Sequence, residues 1–362
     1  DIHRGQPGKL IGGLLAGPIH IDGPESEPGA DDKLHIKTQN VSLTSDRIST
    51  PHPVVFQYGR CYGQGRALNI QLQVDRQAKI SGQPLSSVGG LRSIELMHVD
   101  RVHLELADSS ETSQAATDQH PSHATHPIPV DITCRGRFLF DFLGRSARFE
   151  QQVDVVGLQT DGISDQLNCE VLELQFTKIH PVDLDDGSPP DKEQKRALSK
   201  LRPQKLIASG HPAIARSPTW NAEVRAEQMV YDLEQRQIRL SDSKMVFVKY
   251  GPHIVETPKI VYTLAAAKSN VAVGRGWAAG PGKLSTPTGN HDAPPISVTW
   301  RQKMELRPQD GFHVLSMLGG ATVALDSMGK IRSRPMLNVS RSTTRHLRTK
   351  IRSRQTICSR RV

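Results

Sequence analysis

The sequence predicts an all-β protein, and three features of the chain carry that prediction. Apolar and polar residues alternate with a period of two in short segments, separated by turn residues about every 8 to 12 residues. The 362 residues include 29 glycines and 24 prolines, which suits many turns. Aromatic residues make up only 4%, so the interior is built mostly from Val, Leu and Ile. This rhythm favours antiparallel strands over alternating strands and helices.

The first part of the chain contains the first strands of this pattern. Residues 1–33 are rich in Gly, Pro and Asp, and we expect them to be irregular apart from a short strand at PIHID. LHIKTQNVSLTSDRIST then alternates apolar and polar residues in the period-two manner, and PVVFQYG and RALNIQLQV follow it. In LRSIELMHVDRVHLELAD, Val102 and Leu104 lie on one face and Arg101 and His103 on the other. That segment predicts a strand with one solvated side.

Two polar segments interrupt the strands. Residues 109–129 form a low-complexity loop, and residues 183–200, DLDDGSPPDKEQKRALSK, are the best candidate for a domain boundary. The segment KEQKRALSKL is the one reasonable helix candidate in the body. Strands such as RFLFDFLG and LNCEVLELQF lie between the two segments, and the same rhythm resumes from QKLIASG to FHVLSMLGGATVAL. The body is therefore predicted to be all-β on both sides of the boundary.

The positive charge belongs to the end of the chain. Eleven of the 46 basic residues lie in residues 330–362, which contain no acidic residue. The other 329 residues hold 35 basic and 37 acidic side chains, so the net charge of +9 comes from this tail. On a helix the tail arginines would line one side and bind an anionic membrane or nucleic acid. A disordered basic extension is the favoured alternative, and a changed reading frame in the gene is a third.

Catalytic and metal-binding signatures are sparse. The chain has no G-x-S-x-G, H-E-x-x-H, Rossmann or Walker loop, so we expect a protein that is not an enzyme and has no catalytic site or cofactor. Cys134 and Cys169 could form a disulfide in an oxidising compartment. His120, His123 and His126 lie in the polar loop without an element to converge them, so we expect no metal site.

One hairpin pattern occurs twice in the sequence. FDFLGRSARF and YDLEQRQIRL share an Asp, two Arg and a closing apolar residue at constant spacing. A second offset relates the Tyr-Gly at 58–59 to the Tyr-Gly at 250–251. Because one hairpin cannot bury its apolar face, stacked copies are needed to form an interior. The repeated arginines could bind lipid phosphates or simply face solvent. The aligned pairs are Asp141 with Asp232, Arg145 with Arg236, and Arg148 with Arg239.

The second copy resembles a known family. Gly210–Leu264 resembles the OstA-like (organic solvent tolerance A-like) proteins of lipopolysaccharide transport, and Arg47–Leu72 and Phe140–Phe176 resemble them less specifically. The resemblance implies an elongated, folded-over antiparallel sheet, a β-taco or β-jellyroll of stacked hairpins in two or more modules. Its interior would hold acyl chains. The residues that match the family pattern are Ala226, Met229, Tyr231, Asp232, Ile238 and Leu240.

The resemblance also implies a domain division and a lipid-binding site. The first OstA-like module would span residues 34–182, with residues 183–200 as the linker and residues 201–329 as the second module, followed by the tail. The candidate residues line the interior of the second module, and an ordinary closed core is the alternative for them. They are Met229, Tyr231, Leu233, Ile238, Leu240, Phe247, Ile260, Tyr262 and Leu264.

The expected function is therefore that of a non-catalytic scaffold in the periplasm, with a signal or anchor upstream of Asp1. Its partners would be lipopolysaccharide or another acylated lipid, and other β-taco components or a second copy added through edge strands. We expect no nucleic-acid partner. A structural or interaction β-repeat protein with a closed core is one alternative. Binding to anionic surfaces or nucleic acid through the basic tail is the other.

Overall fold

The all-β prediction is confirmed by the structure. The described residues form nineteen β-strands and include no helix. A helix long and apolar enough to cross a membrane is accordingly not found among them. The chain divides into two units, Asp1–Thr219 and Trp220–Val362. A computed structural model describes residues 12–23, 33–44, 46–73, 89–106, 128–157, 164–178, 201–264, 274–287, 295–309 and 312–325.

Unit 1 contributes ten of these strands. The first of them corrects one expectation, because residues 12–23 form a full strand where only a short one within an irregular segment was predicted. The strands are β1 (Gly12–Gly23), β2 (Leu34–Thr44), β3 (Arg47–Tyr58), β4 (Cys61–Gln73), β5 (Gly89–Leu106), β6 (Ile128–Cys134), β7 (Phe138–Asp141), β8 (Ser146–Gly157), β9 (Asp165–Lys178) and β10 (Leu201–Ser217).

These strands form an antiparallel meander in which neighbours along the chain pair, except β6 and β7. β5 pairs with β7 through Ser93–Leu96 and with β6 through Val99–Leu106, and β8 pairs with the same two strands in turn. β6 and β7 are thus one long strand, interrupted at residues 135–137. Neighbouring strands have register shifts near this level, for example between Glu150 and Val153 of β8. The interruptions mark a crease across the sheet.

The boundary between the units lies later than the sequence predicted. β10 pairs with β9, from Leu201 opposite Lys178 to Arg216 opposite Gln166, so residues 201–217 belong to unit 1. The second module was expected to begin at residue 201 because residues 183–200 are polar and of low complexity, but composition does not reveal which strands pair across such a segment. The predicted linker and the tail lie outside the described residues, as do residues 109–127 of the predicted polar loop (109–129) and residues 192–200 of the helix candidate (192–201). The remaining residues of these two segments belong to strands β6 and β10.

Unit 2 contributes the remaining nine strands. They begin with a hairpin and its neighbour, and continue as short strands that pair end to end. The strands are β11 (Ala222–Asp232), β12 (Gln237–Tyr250), β13 (His253–Thr263), β14 (Arg275–Ala279), β15 (Gly282–Thr286), β16 (Ile296–Trp300), β17 (Lys303–Gln309), β18 (Phe312–Leu318) and β19 (Ala321–Leu325).

A crease also crosses unit 2. β13 pairs with β14 through its second half and with β15 through its first half. β17 and β18 continue outward from β14, whereas β16 and β19 continue outward from β15. The interruptions lie side by side, because the Gly280 amide donates to the Gln302 carbonyl at 2.7 Å and the Gln302 amide to the Leu318 carbonyl at 3.2 Å. We call the β14–β17–β18 side half A and the β15–β16–β19 side half B.

The repeated hairpin of the sequence is a repeated structure. Arg145 in the β7–β8 turn and Arg236 in the β11–β12 turn have φ of 50° and 51°. The preceding aspartate closes each turn, since Asp141 Oδ1 accepts a hydrogen bond from the Gly144 amide and Asp232 Oδ1 accepts one from the Gln235 amide. The carbonyl of each arginine accepts a hydrogen bond from a backbone amide at the end of the strand after the hairpin. The donor is Phe176 near the end of β9 for Arg145, and Leu264 just after β13 for Arg236. The residues shared by the two segments therefore form the same type of turn in both hairpins.

The second offset is also structural. Gly59 and Gly251 follow the tyrosines at the tips of the β3–β4 and β12–β13 hairpins, with φ of 58° and 55°. Glycine adopts this left-handed conformation without the penalty that a Cβ imposes. Each glycine amide donates to the carbonyl of a residue just outside a neighbouring strand, Lys33 or Asn221. Both units thus build their hairpins with the same turns.

Candidate functional site

Two apolar rows cross half A of unit 2. Residues directly opposite each other on neighbouring strands share one face of a sheet. Each row runs over β11, β12, β13, β14, β17 and β18 in that order. The first row is Met229, Leu240, Ile260, Ala278, Met304 and Met317, and the second is Tyr231, Ile238, Tyr262, Gly276, Leu306 and Leu315.

Most of the predicted site residues fall in these rows. Six of the nine candidates, on β11, β12 and β13, share the face, and Met229 and Leu240 are only 8% and 5% exposed. Leu233 lies in the β11–β12 turn and Leu264 directly follows β13, both half-buried at the same end. That these side chains contact a lipid stays a prediction. The residues of the rows on β14, β17 and β18 were missed, although the alternation in KMEL and HVLSML carries the signal.

Phe247 does not belong to the rows, which corrects the prediction for this residue. Val248 lies opposite Val255, which packs against the interior, so strand alternation places Phe247 on the opposite face. There the Arg225 guanidinium lies 5.4 Å from the centre of the Phe247 ring. The segment MVFV is apolar on both faces, so its periodicity could not identify the inner one.

On the inner face, the Tyr262 ring lies over the backbone of the neighbouring strand β14. A Cβ added to Gly276 would meet the Tyr262 ring at 2.8 Å, so the ring lies across β14 where no side chain competes. The Tyr262 hydroxyl accepts a hydrogen bond from the Gly274 amide at 3.2 Å. The aromatic ring therefore covers the backbone of the neighbouring strand at this end of half A.

Half B presents its own apolar row towards the same interior. Ala278 and Met304 of half A form one buried cluster with Leu284 and Trp300 of half B, and Ile260 packs against it. A sheet folded along the crease brings its two apolar sides together in this way. The row of half B is Val224, Val248, Val255, Leu284, Val298 and Val323.

Unit 1 contains longer apolar rows, which the site prediction did not include. They cross eight strand positions, and Leu96, Phe149 and Leu172 in one of them are each 1% exposed. The signal was present in segments such as RALNIQL and LNCEVLELQF. One row is Leu43, Ile48, Ile70, Ile94, Phe140, Ala147, Leu174 and Leu206, and the next includes Leu68, Leu96, Phe138, Phe149, Leu172 and Ala208.

A cavity of about 650 Å³ lies near the crease of unit 1 and includes Cys134 and Cys169 in its lining. Both cysteines are free thiols, so the possible disulfide is absent from the structure. Val153 of β8 lies opposite Cys169 of β9, and Cys134 is on β6, on the other side of β8. Two strand spacings, roughly 10 Å, exceed the reach of a disulfide. Burial raises the pKa of Cys134, and that of Cys169 to about 12.

The polar groups of unit 1 are arranged as ion pairs. Although burial opposes its charge, Asp131 has a lowered pKa because Arg101 and His103 both hydrogen-bond to it, His103 Nδ1 at 2.8 Å from Oδ1. The His103 ring stacks on Tyr62 with centroids 4.6 Å apart.

Among the described residues, no group of three or more His, Cys, Asp or Glu side chains could hold a metal ion. The three histidines of the polar loop lie outside those residues.

The outer faces of the two repeated hairpins differ in charge. In unit 1, Arg148 Nε is 2.7 Å from Glu150, and Arg137 Nε is 3.0 Å from the same carboxylate. In unit 2, Arg239 donates instead to the neutral amides of Gln237 and Gln235. The arginine of unit 1 is thus already neutralised by acidic neighbours, which weakens the case for a phosphate site there.

Comparison with known proteins adds a likeness to solved structures. No family model matches the chain, and no curated protein matches it. Among solved structures, the chain is similar to the crystal structure of LptH, the LptA homologous periplasmic component of the conserved lipopolysaccharide transport device from Pseudomonas aeruginosa. The alignment covers 37% of this chain and 75% of that one, at 16% identity and a TM-score of 0.26. A likeness at this level carries no argument about function, so the site rests on its own residues.

Proposed function

We propose that this protein is a non-catalytic scaffold that binds the acyl chains of a lipid between the two halves of its sheet. The observation that carries the proposal is the pair of uninterrupted apolar rows across six strands of half A. Acyl chains are held by non-directional burial, at about 25 cal/mol per Å² of apolar surface, so a broad apolar face suits them. Directed polar contacts are not required for such a ligand.

The resemblance of Gly210–Leu264 to OstA-like proteins suggests the cargo and the compartment. On that basis we name lipopolysaccharide or another acylated lipid as the ligand, and the periplasm as the location. A sheet that covers only the acyl chains would leave the sugar and phosphate groups in water. The scaffold would then pass the lipid towards the outer membrane without changing it chemically.

Strand edges supply a route to partners. β1 pairs with β2 along one side, and β18 and β19 of unit 2 pair with β17 and β16. Leu14 and Leu15 of β1 are 70% and 45% exposed. Unpaired edge groups accept an added strand. We propose that other β-taco components, or a second copy of this chain, pair at these edges.

A closed-core interaction scaffold is the second candidate, and one observation favours it. Met304 and Trp300 are only 8% and 2% exposed within a cluster that contains side chains of both halves. Side chains that fill the interior in this way leave less room for a ligand. In this alternative, the rows serve stability alone, and function lies on the outer faces and edges.

Photocrosslinking from the two faces distinguishes these candidates. A benzophenone amino acid would replace Tyr262 on the inner face or Phe247 on the outer face, each an aromatic-for-aromatic change in the full chain. The protein would be purified from a host that makes lipopolysaccharide and also incubated with added lipopolysaccharide. After irradiation, mass spectrometry would identify lipid adducts. We expect adducts at position 262 and few at position 247.

The control and the contrary outcome are direct. Circular dichroism and thermal unfolding would establish that both variants keep the sheet, because Phe247 lies outside the rows and Tyr262 is only half-buried. Equal adduct yields at the two positions would indicate surface adhesion. If folded protein gives no adduct at 262 with lipopolysaccharide in excess, the closed-core scaffold becomes the better proposal.

A further inference from the structure

The outer face of half A has a tryptophan between two lysines. Trp277 of β14 lies next to Ala278, whose side chain belongs to the buried cluster, so Trp277 faces the other side of the sheet. The ammonium groups of Lys259 on β13 and Lys303 on β17 lie 5.9 and 5.8 Å from the ring centre. The ring thus holds cations from both neighbouring strands at one place.

The two lysines share a row with a small residue between them. Ala279 lies directly opposite Lys259 on one side and Lys303 on the other. The lysine backbones are two strand spacings apart, roughly 10 Å, and the alanine methyl leaves the space between them open. Two ammonium groups on either side of such a gap can share one phosphate.

Further cations surround this gap and little opposes them. Arg239, Arg275 and Arg307 lie on the same outer face and are exposed. Within the described segments of β11, β12, β13, β14, β17 and β18 in half A, the outer face carries five basic residues and two acidic ones, the buried Asp232 and Glu305. Glu305 lies 3.9 Å from Lys303, at the outer limit of an ion pair, with side chains 45% and 38% exposed.

We propose that this face docks onto the phosphate headgroups of an anionic membrane. A headgroup layer offers many phosphates in a plane, which complements cations spread over four strands rather than along a line. Tryptophan is also enriched at membrane–water interfaces. The proposal concerns the outer face, so it stands independently of acyl-chain binding on the inner face. The described part of the protein thereby gains a membrane-docking surface separate from the basic tail.

A single-stranded nucleic acid fits this face less well. Such ligands need aromatic rings on which bases stack. Here the Trp277 ring is half-buried and already contacted by Lys259 and Lys303. The cations are also arranged in two dimensions, whereas a nucleic-acid backbone follows a groove. Nucleic acid is therefore an outcome for the experiment to exclude.

Lysine footprinting on the full chain tests the proposal at its own residues. The protein would be acetylated briefly with an amine-reactive reagent in three conditions: alone, with phosphatidylcholine vesicles, and with vesicles of equal parts phosphatidylcholine and phosphatidylglycerol. Mass spectrometry would give the rate at each lysine. We expect anionic vesicles to slow labelling of Lys259 and Lys303 several-fold and to leave Lys37 and Lys283, which are exposed elsewhere, nearly unchanged. Protection confined to Lys330 and Lys350 would overturn the proposal in favour of the tail.

A matched pair of variants supplies the second readout. K259Q/K303Q should weaken binding to the anionic vesicles by about fivefold for each lysine removed. K37Q/K283Q removes the same charge from other exposed positions and should leave binding nearly unchanged. Equal losses in the two variants would mean that net charge alone governs binding, and would overturn the proposal. Protection of Lys259 and Lys303 by an oligonucleotide but not by vesicles would overturn it as well.

Discussion

The hairpins β7–β8 of unit 1 and β11–β12 of unit 2 have the same turn and different outer faces. Both close with an aspartate and an arginine at positive φ, in the same order. On the strand that follows, Arg148 is paired with glutamate in one copy, whereas Arg239 contacts only glutamine in the other. The turn residues fix the backbone, and the outer residues are free to differ. A function that varies between the units is therefore to be sought on the outer faces.

The unfolding of each unit can be followed by its own spectroscopic or chemical probe. All three tryptophans, Trp220, Trp277 and Trp300, belong to unit 2, and Cys134 and Cys169 are buried thiols of unit 1. Their raised pKa values keep these thiols protonated and slow to react while unit 1 is folded. Labelling of Cys134 and Cys169 under denaturant, quantified at each cysteine by mass spectrometry, thus reports on unit 1, and tryptophan fluorescence reports on unit 2.

The largest expected effect comes from emptying the interior of unit 1. Phe149 is 1% exposed and lies in the middle of an apolar row. Phe149→Ala removes a ring from a packed interior, so we expect a loss of about 3 to 5 kcal/mol in the free energy of unfolding. Denaturant unfolding followed by labelling of Cys134 and Cys169 measures it. Phe247→Ala, on the outer face of unit 2, is the control and should cost about 1 kcal/mol or less.

A contrary result would be equally informative. If both phenylalanine variants lost similar stability, the face assigned to Phe247 would be wrong. The assignment of Phe247 to the outer face follows from its neighbour Val248, which lies opposite Val255 in the inner row of half B. The comparison of inner and outer faces depends on this assignment.

The aspartates of the two turns should differ in a smaller way. Asp232 is 4% exposed, whereas Asp141 is half-buried. Replacing the buried Asp232 by alanine leaves the Gln235 amide without its acceptor in a part-buried hydrogen bond, so we expect a loss of about 1 to 2 kcal/mol. Asp141→Ala should cost about 1 kcal/mol because water can replace the lost acceptor. The two unfolding curves, by fluorescence for Asp232 and by thiol labelling for Asp141, decide it; a larger cost at Asp141 would contradict the prediction.

Acid should reveal the ion pairs of unit 1. Hydrogen bonds from Arg137 hold the pKa of Glu150 below its ordinary value of 4.5. A lowered carboxylate pKa contributes stability above pH 4.5, and that contribution is lost as the pH falls further. Arg137→Gln should therefore destabilise unit 1 by up to about 1 kcal/mol at pH 7, with the difference from the parent shrinking towards pH 3. A difference that does not change with pH would show that Arg137 acts by packing.

The fold could be predicted further than the site. Period-two alternation and repeated turn residues were sufficient for an all-β sheet, and the aligned Asp141 and Asp232 identified a real turn. The second module was expected from residue 201 because the polar segment 183–200 precedes it, whereas β10 pairs with β9 on the other side of that segment. The creases were not predicted, since register shifts such as those of β8 against β9 and of β12 against β13 leave no mark in a period-two pattern. Phe247 was misplaced because alternation says nothing where both faces are apolar.

The smallest expected effect is the most direct measure of the difference between the hairpins. Arg148→Gln removes an exposed ion pair with Glu150, which at low salt should cost a few tenths to about 1 kcal/mol and should fade in concentrated salt. Arg239→Gln replaces contacts with neutral amides, so its cost should be close to zero and independent of salt. Unfolding at low and high salt, by thiol labelling for the first variant and fluorescence for the second, measures both. If Arg239→Gln proved as salt-sensitive as Arg148→Gln, the two outer faces would not differ in their electrostatics.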